Sequence, residues 1–85
     1  MENINYSTPA RGTVVHLFYV AKDNKMTERL VLITSADAAH WRGLDLVKSE
    51  PRCFRREGLA VAKRVETREQ QQAILERLVN GLAPS

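Results

Sequence analysis

Arginine is the side chain in this sequence best placed to do chemistry. Arg52, Arg55 and Arg56 surround a single aromatic, Phe54, and the run then turns through Gly58 into an apolar alternation at Leu59, Val61 and Val65. A guanidinium carries a planar fork of donors that matches phosphate or carboxylate oxygens. Charged forks are costly in a core and useful on an edge that faces an anion. Upstream, Arg29 and Arg42 add two more cations, and Trp41, the only tryptophan, offers a surface on which a base can stack. Arg29, Trp41, Arg42, Arg52, Phe54 and Arg55 are therefore the candidate site, and its chemistry is binding rather than bond-making. The competing reading is a strand whose Phe54 is core and whose arginines are simply solvated.

Catalytic groupings are missing from the pattern. His16, His40 and Cys53 do not show metal-ligand spacing, and Cys53 with a distant histidine is a pairing that most chains contain by chance. Gly12, Gly43, Gly58 and Gly81 stand singly, so no glycine-rich loop cradles a phosphate. The expectation is a non-enzymatic protein with no cofactor and no metal.

Length and charge set the frame. Eighty-five residues make one domain with a thin core, and a lone cysteine excludes an intrachain disulfide. The net charge of +3 is unevenly spread: most cations lie between Arg11 and Arg64, whereas the tail after Val65 is slightly acidic. A basic body favours polyanionic partners, though the signal is mild. Residues 1–5 lack an apolar leader core, and no apolar run approaches the roughly 20 residues that span a bilayer. The expected location is the cytoplasm, with no membrane partner.

The elements that must carry the arginines are short strands. Residues 1–12 read as a polar arm, broken by Pro9 and Gly12 and pinned by Ile4 and Tyr6. Residues 13–21 form the clearest strand, apolar on both faces. The Asp23-Asn24 pair tolerates the positive φ of a tight hairpin, and 26–34 return as the second strand. Residues 35–39 break it, with Ser35 or Asp37 able to cap one helical turn. A third strand covers 40–47, where Gly43 leaves room for a backbone or ligand beside Trp41. A turn at 48–51 closed by Pro51, a fourth strand at 52–56 and a fifth at 59–65 complete a mainly β domain, expected to curl into a small five-stranded barrel. Leu30, Leu32, Leu44, Leu46 and Val61 are the expected core. If Phe54 points inward, Arg52 and Arg56 share its side while Cys53 and Arg55 face out. The segment 66–85 reads as a helix: Thr67 and Gln70 fit a capping box, Gly81 a C-terminal cap, and Pro84 follows. Its stripe of Ile74, Leu75, Leu78, Val79 and Leu82 is suited to covering the barrel, or else to a dimer or partner contact.

Taken together, residues 13–65 resemble the WYL domain family. The shared layout is an aromatic strand ending in Tyr19, then Thr27-Glu28-Arg29 opening the next strand, and a closing run of Arg52, Phe54, Arg55, Glu57 and Leu59. Two departures stand out. The Trp-Tyr-Leu tripeptide is absent, only Trp41 lying nearby, and Gly58 stands where the family usually has arginine. The resemblance implies an Sm-like barrel capped by one helix and a ligand-sensing role in bacterial transcription regulation or defence. It implies a free-standing module, since residues 1–12 are too short for a helix-turn-helix. Expected partners are a single-stranded nucleic acid or nucleotide, or a larger regulatory protein, with the chain as monomer or homodimer.

Overall fold

The computed structural model describes Ile4 and residues 7–82, the side chain of Leu82 excepted. The protein is mainly β: five antiparallel strands in one sheet, ordered β4-β3-β2-β1-β5, followed by a single helix. The strands are β1 (Val14–Val20), β2 (Met26–Ala36), β3 (His40–Asp45), β4 (Glu50–Arg55) and β5 (Leu59–Arg64); the helix α1 is Arg68–Leu82. As paired, the sheet is open, with β4 and β5 as its edges rather than joined into the expected barrel.

The first hairpin follows from its turn chemistry. Asn24 takes the left-handed φ of 68°, its N–H donates to the Ala21 carbonyl at 2.9 Å, and Val20 lands opposite Met26. The second turn differs from the expected helical one. β2 runs on to Ala36, and the Asp37 carboxylate instead accepts the N–H groups of Ala39 and His40, both at 2.8 Å, in a tight side-chain-closed turn. The third strand stops at Asp45, short of Val47, because Asp45 turns its carboxylate onto the N–H groups of Val47 and Lys48. Ser49 supplies the positive φ there, and Pro51 sits within β4. On an edge strand a missing N–H costs no ladder bond.

The two faces of the sheet divide the apolar residues unevenly. Val15, Leu17, Val31, Ile33, Trp41, Phe54, Leu59 and Ala62 form the deep core, and Ile4 joins it while donating its N–H to Ala62. The arm is therefore pinned by Ile4; Tyr6 lies outside the described residues. Of the leucines and valine expected in the core, Leu30 is fully buried, while Leu32, Leu44, Leu46 and Val61 are only half-buried. Register explains the shift. Leu32 lies opposite Val14 and Leu44, and Val61 opposite Phe18, all on the other side of the sheet from Val15 and Leu17.

Helix α1 lies against β2. Its start is the expected capping box: the Gln70 N–H donates to Thr67 Oγ1 at 3.1 Å, and Gln70 Oε1 accepts from the N–H of Glu66 at 3.0 Å and of Thr67 at 3.4 Å. Ile74, Leu75 and Leu78 are half-buried and Val79 is 45% exposed, so the stripe covers the sheet only in part. The helix continues through Gly81, which is thus a residue of its last turn rather than a cap. Pro84 lies outside the described residues.

Candidate functional site

Two of the six candidate residues are buried beneath the surface. Trp41 has no exposed area and Phe54 is 3% exposed; they face each other across the β3–β4 ladder. A ring with both faces packed cannot stack on a base, so neither serves as a contact platform. Phe54 also meets Tyr19 edge-on at 5.1 Å, an arrangement that aromatic quadrupoles favour. The alternation left open in the sequence thus resolves with Phe54 inward and Cys53 exposed.

Gly43 explains how β3 and β2 come together above this core. A Cβ there would lie 2.4 Å from the Leu32 carbonyl oxygen and 2.6 Å from a Val31 methyl, at the irregularity between Ile33 and Ser35. The room beside Trp41 is taken by backbone. Gly58 works the same way, since its missing Cβ makes space for the Tyr19 ring, 2.6 Å away.

The four arginines divide into three environments. Arg29 lies in the half of β2 nearest the first turn and donates from Nη1 to Asp45 Oδ2 at 3.0 Å, and Asp45 is only 1% exposed. That arginine holds the turn after β3. Arg42 on β3 and Arg52 on the edge strand β4 line one shallow groove of about 380 Å³, together with Thr34, Gly43, Pro51 and Cys53. In the ladder Arg42 lies opposite Cys53 and Arg52 opposite Gly43, so the two arginines start from opposite faces of the sheet, yet both line this one depression at its edge. Arg55 lies in a second groove of about 250 Å³ with His40, Arg56 and Glu57. Its guanidinium carbon is 5.9 Å from the Tyr19 ring centre, a cation–π distance.

Carboxylates that were not among the candidates accompany each of these cations. Arg42 pairs with Asp37 at 3.6 Å, Arg52 with Glu50 at 2.9 Å and Arg55 with Glu57 at 2.7 Å. Glu57, and then the Tyr19 hydroxyl, raise the Arg55 pKa above its ordinary value. Glu50 was legible, because residues i and i+2 of an extended strand share a side, as Glu50 and Arg52 of β4 do, whereas Glu57 meets Arg55 from the single 3-10 turn 56–58 that follows the strand. Asp37 and Asp45 reach their arginines only through the hairpin register.

A further charged cluster ties the helix down. Glu28 on β2 accepts from Arg77 of α1 and lies 2.5 Å from His16 Nε2 on β1. The Arg77 hydrogen bond, aided by His16 and opposed by partial burial, lowers the Glu28 pKa below its usual value. Among the described residues, no three histidine, cysteine, aspartate or glutamate side chains converge as a metal site would require. Among the described residues, no helix is long and apolar enough to cross a membrane. Comparison with family models, curated proteins and solved structures finds no match to this chain.

Proposed function

We propose that this protein is a non-enzymatic binding module that takes an anionic ligand, a nucleic acid or other phosphorylated chain, along its β4 edge. The observation that carries the reading is the groove shared by Arg42 and Arg52, with Arg55 beyond it on the same strand. Their present partners do not prevent it. Exposed ion pairs contribute only about 0–1 kcal/mol, so a phosphate can replace Asp37, Glu50 or Glu57 at little cost. Arg29 is no part of this edge: it lies on β2 with Nη1 committed to Asp45, and breaking that pair for a phosphate would strand the buried carboxylate at roughly 3–5 kcal/mol. With Trp41 and Phe54 packed inside, contact is to backbone phosphates, which position a ligand without reading its bases. The WYL resemblance, with the Sm-like small barrel and the bacterial regulatory setting it implies, belongs to the same proposal.

Fluorescence anisotropy with labelled single- and double-stranded oligonucleotides tests this reading directly. Affinity should fall with salt and weaken when Arg42 or Arg52 becomes alanine, whereas Lys22→Ala in the first turn should change little. A second reading rests on the unpaired outer side of β4 and on the half-covered stripe of α1: an interaction module that adds a partner strand or seats a partner on the helix. It predicts assembly that depends on concentration and hardly on salt, read by sedimentation velocity.

A further inference from the structure

Apart from the β4 grooves, a cavity of about 300 Å³ opens between α1 and the sheet. Its walls include Thr27, Glu28 and Arg29 of β2, Val47 and Lys48 of the following turn, and Leu78 of the helix. Nothing in the arginine-groove reading uses this space.

The polar groups around it are unequally satisfied. Asp45, at its base, already accepts from Arg29 Nη1 and from the N–H groups of Val47 and Lys48. Glu28 is occupied by Arg77 and His16. The carboxylates therefore have little capacity left for a ligand. The cations differ. Among the described residues, Arg29 commits only Nη1, to Asp45, and the Lys48 ammonium has no carboxylate partner. Nε itself is enclosed, so what a ligand with an acceptor meets is the guanidinium charge and its remaining donors, with the Asp45 bond kept. Leu78 and Val47 add apolar wall to the same cavity. The volume lies at the small end of ligand pockets, too small for an oligonucleotide.

The geometry points to a second binding site here, for a small organic carboxylate: an acid group held by Arg29 and Lys48, and a short apolar body against Leu78 and Val47. Because Leu78 follows the Arg77 latch to Glu28 directly, an occupied cavity also holds α1 on the sheet.

Titration of the full chain with hexanoate, acetate and hexanol, followed by amide chemical shifts, tests the site. Hexanoate should give saturable shifts concentrated at Thr27, Glu28, Arg29, Val47, Lys48 and Leu78, with slower amide exchange along α1. Acetate should bind at least about tenfold more weakly, and hexanol should not saturate. Lys48→Glu, a change at an exposed position that leaves the Asp45 pair intact, should weaken hexanoate by about tenfold or more. Shifts that rise linearly without saturating would overturn the assignment. So would equal response to hexanol, shifts centred on Arg42 and Arg52, or unchanged affinity in Lys48→Glu. Loss of oligonucleotide binding along β4 would leave this site untouched, so the two proposals fail separately.

Discussion

At the scale of single residues, the charges sort by burial rather than by type. Asp45 is enclosed and carries three hydrogen bonds, whereas Glu50 makes one exposed pair with Arg52. Asp45→Ala should therefore cost roughly 3–5 kcal/mol in urea unfolding, through an arginine left without its buried partner and two freed N–H groups. Glu50→Ala should cost less than about 1 kcal/mol. Equal losses would contradict the assignment of the Arg29–Asp45 pair to structure and of Arg52 to the polyanion. Glu28 adds a pH signature. Its folded pKa is lowered below the ordinary 4.5, chiefly by Arg77. The stability it contributes is thus fully present above the unfolded value and disappears as pH falls through the lowered folded one. The difference in unfolding free energy between the parent protein and Glu28→Gln should be flat near neutrality and shrink toward zero in acid. A difference that grows on acidification would contradict the latch. The glycines separate as cleanly: Gly43→Ala must displace the Leu32 carbonyl and should destabilise, while a Cβ at Gly81 meets nothing within 4 Å. Gly81→Ala should stabilise α1 by up to about 1 kcal/mol, the interior propensity difference, reduced by its place in the last turn.

At the scale of elements, what the sequence revealed depended on how local the cause was. The Asp23-Asn24 turn and the Thr67–Gln70 box were legible because a few adjacent residues determine them. Residues 35–39 read as a break able to form one helical turn, whereas β2 runs on through Ala36. Asp37 does cap backbone N–H groups there, but strand pairing through Ala36 decides that the chain doubles back. The choice of core face was beyond local pattern. Both faces of β1 and β2 are apolar, so alternation could not say that Val31 and Ile33, rather than Leu32, face Trp41. Trp41 was assigned to the ligand for the same reason, its packing against Phe54 being a product of the β3–β4 register. The helix illustrates partial success, since its stripe docks on β2 as a cover while leaving Val79 outside. Leu78→Asp should accordingly destabilise the monomer without changing its sedimentation. A folded species smaller than the parent assembly would show instead that the stripe is a dimer seam.

At the scale of the whole molecule, one sheet separates three functions of charge. Arg29 with Asp45 closes the β3 turn, Glu28 with Arg77 fastens the helix, and Arg42 of β3 with Arg52 and Arg55 of the edge strand β4 line two grooves at that side of the sheet. A polyanion could break the first two only at a cost; the third has weak, exposed partners that it can replace. The most direct test of that division is the salt dependence of binding to a fluorescein-labelled single-stranded oligonucleotide, measured for the parent chain and for the Arg42→Ala, Arg52→Ala double variant. With three arginines meeting phosphates, log affinity should fall against log salt with a slope of about −2, and the double variant should lower that slope to roughly −0.7 while its unfolding stays close to the parent's. No binding at low salt, or an unchanged slope in the variant, would contradict the account.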